Sequence, residues 1–195
     1  MKDIEAAVIN ATIELITEKG INGLKTAQIA QRAGTSETVV YRHFKSKQDI
    51  IGQTVSFLLL ELMQKLEAVK KQHLPALVRL DELLNIHLSF NEKTKGISRL
   101  AFADQFHFGD TTLKQITKNH LEKYETFIME TLQDGIKEGI FRTNLDLKTS
   151  AQSYIATIYF VINKWSLADF TWSLQGEKER ILQYWTNLWG IHAIE

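Results

Sequence analysis

The chain has 195 residues with 23 basic and 23 acidic side chains, so its formal net charge is zero and any strongly charged surface has to arise locally. A hydrophobic content of 44% and a single proline suit a globular, almost wholly helical protein with a sizeable core. The absence of cysteine excludes disulfides and thiolate metal sites, and a reducing compartment, the cytoplasm, is expected. The opening MKDIEAAVIN has neither a long apolar core nor a cleavage site, and the longest apolar cluster, residues 57–60, is closed by Glu61. Neither a signal peptide nor a transmembrane helix is therefore expected.

Residues 1–20 predict a first helix with Ile4, Ala7, Val8, Ala11, Leu15 and Ile16 on one stripe and Lys19-Gly20 as its stop. Residues 24–47, LKTAQIAQRAGTSETVVYRHFKSK, read as two short helices joined by a tight turn. Ile29 and Ala30 give the first an apolar face. Gly34 supplies the turn. Ser36 caps the second helix, and Val40 and Phe44 face inward together one turn apart. Glu37, Thr38, Tyr41, Arg42 and His43 remain to face outward. Lys25, Arg32, Arg42, Lys45 and Lys47 against the one acid, Glu37, give this stretch a charge of five minus one, +4. Basic residues gather where a protein touches the phosphate backbone, so the pattern points to a helix-turn-helix whose second helix enters the major groove. A solvated helical hairpin would share part of the pattern.

A long helix over residues 47–72, capped by Ser46, carries Ile51, Val55, Leu58, Leu59, Leu62, Leu66 and Val69, with Ile50, Phe57 and Leu60 on a second side. Pro75 breaks the chain. Residues 76–94 form the next helix, with Leu77, Leu80, Leu84, His87, Leu88 and Asn91 on one face, and Gly96 ends it. A short apolar helix is predicted over 97–108, then a long one over 111–138 with Leu113, Ile116, His120, Tyr124, Ile128, Leu132 and Ile136, stopped by Gly139. Asp146 caps a helix over 147–171 with Ala151, Ile155, Ile158, Ile162 and Trp165 inward. The last helix, 177–192, carries Ile181, Tyr184, Trp185, Leu188 and Trp189. All four tryptophans lie in these two helices and their link, more aromatic surface than one small domain needs.

The run IAQRAGTSETVVYRHFKSKQDI resembles the DNA-binding signature of the TetR (tetracycline-repressor) family of bacterial regulators, through Ile29-Ala30, Ala33-Gly34, Ser36, Tyr41, His43-Phe44, Lys47 and Ile50. Many members have Thr where this chain has Lys25, with Thr26 one position later, and a small residue or proline where it has Thr38. The resemblance implies an all-α fold with an N-terminal three-helix helix-turn-helix head, residues 1–46, and a C-terminal helical effector-binding and dimerisation domain, residues 47–195. It implies that the last two helices make a four-helix interface in a homodimer, which would match a palindromic double-stranded DNA operator. Lys25, Thr26, Thr35, Ser36, Glu37, Thr38, Tyr41, Arg42, His43 and Lys47 are the candidate DNA-binding residues.

No HExxH, phosphate loop, GxSxG or dinucleotide fingerprint occurs, so no catalytic site, metal or cofactor is expected. His87, His107 and His120 lack any recognised ligand spacing. Polar groups do stand on apolar helical faces, and an apolar pocket with a few placed polar groups is what a ligand site requires. The residues singled out for a small lipophilic effector are His87, Phe106, Tyr124 and Asn163. The expected function is a non-enzymatic transcriptional regulator, a repressor released from its operator by that effector. A ligand-independent DNA-bound structural or cell-division factor of the same fold, and a helical enzyme, stand as alternatives.

Overall fold

The computed structural model describes residues 3–95, 97, 100 and 111–190. Among them the chain is helical: α1 (Asp3–Lys19), α2 (Thr26–Arg32), α3 (Glu37–His43), α4 (Lys47–Lys70), α5 (Ala76–Lys93), α6 (Thr111–Lys137), α7 (Leu147–Leu167) and α8 (Lys178–Trp189). Short 3-10 turns lie at Ile21–Gly23 and Leu174–Glu177. The expected helix over 97–108 falls almost wholly outside the described residues, as does Phe106. The chain separates into two compact units, Met1–Leu59 with Ile97–Thr117, and Leu60–Gly96 with Lys118–Glu195. No helix among the described residues is long and apolar enough to cross a membrane.

In the first unit Val8, Ala11, Leu15 and Ile16 of α1 are buried with Leu24, Ile29, Ala30, Val40, Phe44 and Ile50. The turn between α2 and α3 follows from its sequence. Gly34 has φ +68°, Thr35 N–H donates to Ala30 O at 2.9 Å, and Gly34 N–H donates to Gln31 O at 3.2 Å. This pair of bonds closes the last turn of a helix when the residue beyond it is left-handed. Ser36 then accepts from Val39 N–H, starting α3. Ser46 accepts from Asp49 N–H at 3.1 Å while the Asp49 carboxylate accepts from Lys45 N–H at 2.7 Å, a reciprocal cap that starts α4.

In the second unit Leu80, Leu83, Leu84 and Leu88 of α5 are buried with Phe127, Ile128 and Leu132 of α6, and Ile155, Ile158, Ile162 and Trp165 of α7. The inward stripe of α5 differs from the expected one. It starts at Ala76, so the 3.6-residue period brings Leu83 inside and leaves Leu77 and Val78 exposed. Pro75 offers no side-chain cap to α5, and the Glu138 carboxylate takes that place by accepting from Ala76 N–H at 3.0 Å. Arg79 adds a second tie between α5 and the end of α6, to Asp134 at 2.9 Å.

Three of the four tryptophans are core rather than outward-facing, and Trp172 is half-buried. Trp165, Trp185 and Trp189 are buried. Trp185 and Trp189 lie 5.0 Å apart by ring centroid, and Tyr154 packs on both. The α7 helix stops at Leu167, earlier than expected. Asp169 and Phe170 there have φ +51° and +60°. Phe170 folds back edge-on to Trp165 at 4.6 Å, and Trp165 Nε1 donates to Trp172 O at 2.6 Å. Lys95 caps the pair, its Nζ 5.1 Å from the Phe170 ring. Beyond α8, the Trp189 carbonyl accepts from Arg142 N–H at 2.9 Å, which ends that helix one residue before Gly190.

Candidate DNA interface and effector site

The outer face of α3 is open. Ser36, Glu37, Thr38, Tyr41 and Arg42 are exposed, as are Lys25 and Lys47 at the starts of α2 and α4, while Thr35 is half-buried. The turn and the caps therefore present one short helix by its N-terminal half, flanked by two lysines, as groove reading requires. Three expected residues are placed less freely. Thr26 is buried, and its Oγ1 accepts a hydrogen bond from Tyr41 Oη at 3.1 Å. His43 is half-buried with Nδ1 3.2 Å from Glu5 Oε1 on α1. Arg32, counted in the local positive charge, bonds Glu18 at 2.8 Å and Glu14 at 3.0 Å. Those bonds raise the Arg32 pKa and lower that of Glu18, whose largest cause is the bond from Arg32. Arg32 thus ties α2 to α1, and the cations left facing outward are Lys25, Arg42, Lys45 and Lys47.

Of the residues singled out for a ligand, the structure brings His87 and Tyr124 together and leaves Asn163 apart. The rings of His87 on α5 and Tyr124 on α6 have centroids 5.2 Å apart. His120, one turn before Tyr124, lies 6.2 Å from it, and Tyr159 on α7 meets His87 edge-on at 5.8 Å. His87, His120 and Tyr124 are buried, yet His87 Nδ1, both His120 ring nitrogens and Tyr124 Oη have no hydrogen-bond partner among the described residues. Tyr154 Oη is in the same condition. Burial lowers the pKa of His87 to about 3, with His120 adding to the effect, and burial lowers that of His120 to about 4. Burial also raises the tyrosines, so at neutral pH the cluster is uncharged. Asn163, expected beside them, is instead exposed on α7, and its amide donates to Tyr159 O at 2.8 Å. Sequence reasoning does not select Tyr154 or Tyr159 for the site, and it notes His120 without choosing it. The signal for His120 is its place on the same stripe as Tyr124, four residues earlier.

Two further surfaces belong to the second unit. A groove of about 470 Å³ between α4 and α6 has Met63 and Phe127 as its apolar part and Lys70, Lys71, Lys123, Glu67 and Glu122 around it. Two of its lysines are taken up in ion pairs, Lys70 with Glu130 and Lys123 with Glu67. On α7, Ala156, Phe160, Asn163 and Leu167 are exposed at alternating spacings of four and three, with Phe160 at 68% and Leu167 at 87%. On α8, Tyr184 is 60% exposed.

A three-helix head with an open recognition helix, followed by a helical body holding buried polar groups, defines a DNA-binding regulator of the helix-turn-helix class. The family profile described as bacterial regulatory proteins, tetR family, matches residues 8–54, and that of the YsiA-like protein C-terminal region matches residues 57–186. The chain belongs to the tetR family of bacterial transcriptional regulators. It is 25% identical over 187 residues to the fatty acid metabolism regulator protein of Bacillus subtilis (strain 168), covering 95% of this chain and 94% of that one. It is likewise 25% identical over 175 residues to the nucleoid occlusion factor SlmA of Vibrio vulnificus (strain YJ016), covering 89% and 87%. The fold matches that of FadR from Bacillus subtilis in complex with stearoyl-CoA, with a TM-score of 0.71 at 22% identity over 97% of this chain and 99% of that one. It also matches KstR2 of Mycobacterium tuberculosis, with a TM-score of 0.73 at 17% identity over 97% and 96%.

Proposed function

We propose that this regulator is a cytoplasmic homodimeric repressor, acting by binding and not by catalysis, and that a small lipophilic effector releases it from a palindromic operator. The working division is a DNA-binding head, residues 1–46, and an effector-binding and dimerisation domain, residues 47–195. The observation that carries the effector reading is the cluster of buried polar groups at His87, His120 and Tyr124, without hydrogen-bond partners among the described residues. A domain evolved only to pack would satisfy or remove such groups, because an unpaired buried donor or acceptor is costly. The relative named for fatty acid metabolism, and the neighbour solved with stearoyl-CoA, support a lipophilic class of effector.

In this reading Thr38 and Glu37 face base edges, and Lys25, Tyr41, Arg42 and Lys47 touch phosphates. The start of α3, with Thr35 half-buried and Ser36 exposed, approaches the phosphate backbone. His43 acts through Glu5, and Thr26 through Tyr41. The dimer forms through α7 and α8, whose exposed Phe160, Leu167 and Tyr184 supply the apolar contact. An effector shifts such a protein only by its differential affinity for the DNA-bound and DNA-free states.

The test is to select an operator from random duplexes, screen hydrophobic compounds by tryptophan fluorescence, and titrate the operator with each hit. Hits that weaken operator binding support the reading. The identity to the nucleoid occlusion factor supports a second one, a DNA-bound factor with no small ligand. Hits that leave operator affinity unchanged, or a screen with no hits, would favour it.

A further inference from the structure

The outward face of the head carries one carboxylate that no other side chain answers. Between Thr26 and Gln53 the acids are Glu37 and Asp49. Asp49 is engaged, since its carboxylate accepts from Lys45 N–H at 2.7 Å and from the Gln53 amide at 2.9 Å. Glu37, the first residue of α3, is exposed, and among the described residues its side chain has no hydrogen-bond or ion-pair partner. The capping role at this helix start is already filled by Ser36, whose Oγ accepts from Val39 N–H at 3.4 Å. Residues three or four apart meet on a helix. For Glu37 these are the buried Val40 and Tyr41, whose phenol is turned to Thr26, while Arg42 stands one position too far.

The charges around it are Lys25, Arg42, Lys45 and Lys47, which suit phosphate where a carboxylate does not. The major groove is about 12 Å wide and the screening length at physiological salt is about 8 Å, so a side chain at the start of a groove-reading helix feels the phosphates. Glu37 therefore weakens binding to every duplex in which it finds no donor. A carboxylate accepts hydrogen bonds and cannot donate one, whereas the hydroxyl of Thr38 beside it does both and discriminates less. In the major groove guanine shows two acceptors, and thymine an acceptor and a methyl group, so neither suits a carboxylate. Adenine sets the acceptor N7 beside its amino group, and cytosine shows its N4 amino group without an acceptor of its own.

We propose, resting on the reading that α3 faces base edges, that Glu37 accepts a hydrogen bond from N4 of a cytosine in each half-site and rejects the other three bases at that position. The carboxylate gives up general affinity for DNA and gains sequence selectivity, chiefly through what it excludes. Glutamine has nearly the same shape, but its amide donates as well as accepts and matches the N6 and N7 edge of adenine. Exchanging the carboxylate for an amide at this one position therefore changes which base is read.

The test selects duplexes from a random pool with the full-length parent, Glu37→Gln and Glu37→Ala, each checked for native melting. Dissociation constants are then measured on four duplexes that differ only in the base at the position where the selected sites diverge. The parent is expected to select cytosine there and to bind it about tenfold tighter than each of the other three bases, within the range of a good base contact. Glu37→Gln should prefer adenine. Glu37→Ala should bind the four alike, and bind a random duplex more tightly than the parent does. One selected site common to all three proteins, or a parent that selects a base other than cytosine at the diverging position, overturns the proposal and leaves the head reading DNA through other residues. Glu37→Ala binding that is weaker on all duplexes equally overturns it as well, because the carboxylate then only steadies the start of α3. A parent that selects no sequence at all removes the groove-facing reading together with the cytosine contact.

Discussion

Tyr41 Oη donates to Thr26 Oγ1 at 3.1 Å, joining the middle of the recognition helix α3 to the first residue of α2. The bond holds a tyrosine that is otherwise 49% exposed in one orientation over the outer face of the head. Thr26 itself is buried, so its methyl packs while its hydroxyl positions the phenol. Thr26→Val keeps the volume and removes only the hydroxyl. It should leave the melting temperature within a few degrees of the parent, because one hydrogen bond is worth about 1 kcal/mol net. DNA affinity, measured by fluorescence anisotropy on a selected operator, should fall about three- to tenfold, the equivalent of about 1 kcal/mol. Unchanged affinity would release Tyr41 from the interface.

Lys47 is exposed at the first position of α4, beside the reciprocal cap of Ser46 and Asp49. Lys47→Ala should weaken binding to all duplexes alike and flatten the plot of log K against log salt by about one unit. A slope identical to the parent's would place this lysine away from phosphate. Arg32→Ala serves as the contrast, since its guanidinium is held by Glu14 and Glu18. Its salt slope should stay that of the parent.

The exposed positions of α7 make a sharper test of the dimer than the buried tryptophans do. Phe160→Glu or Leu167→Glu places a charge where an apolar partner surface is expected, and an unpaired buried charge is not tolerated. Sedimentation should then show folded monomers with operator binding lost. Trp185→Ala should instead cost about 3–5 kcal/mol of stability through lost core packing and so lower the melting temperature. A Phe160→Glu protein that remains dimeric would move the interface to another face.

Gly135 lies where a methyl group would run into the Phe141 ring, far inside contact distance. Phe141 is buried, sits edge-on to Trp189 at 5.9 Å, and pairs in a single antiparallel bridge with Gly190. The ring cannot swing away without disturbing the end of α8. Gly135→Ala should therefore destabilise by about 1–3 kcal/mol, despite the better helix propensity of alanine. A urea titration showing equal or greater stability would mean that the ring relocates freely.

Burial of His87 and His120 makes stability depend on acid. Both have folded pKa values below the ordinary 6.5, at about 3 and about 4, so the unfolded chain binds protons first. Their contribution is present above pH 6.5 and is lost as pH falls towards about 4 for His120 and about 3 for His87, at up to about 1.4 kcal/mol per pH unit for each. Urea midpoints at pH 7 and pH 5 should differ in the parent and differ less in His120→Phe. Equal pH sensitivity in the two proteins would show that His120 is not held neutral.

The head is legible residue by residue, because its signals are local. Gly34, Ser36, Val40 and Phe44 act within a few positions of one another, and each adopts the conformation expected from its own chemistry. The role of Thr26 is not legible, since a threonine at a helix start reads as a surface group until Tyr41, fifteen residues later, is seen to cover it. Trp185 and Trp189 suggest an interface by composition, but Tyr154 on another helix closes them inside, a contact no periodicity reports. The end of α7 escapes the pattern because Asp169 and Phe170 take left-handed conformations without glycine, held there by Trp165. His87 and His120 lie on readable stripes, while their meeting depends on how α5 and α6 pack.

The most direct measurement is the dissociation constant of a selected operator with and without each member of a panel of long-chain acyl compounds, stearoyl-coenzyme A among them. At least one saturating compound should raise that constant by about 5- to 150-fold, the usual range of coupling between two sites. The same compound should bind the operator complex more weakly than the free dimer by the same factor. An operator constant that stays fixed across the whole panel would contradict release by a lipophilic effector and leave a DNA-binding factor that no such ligand controls.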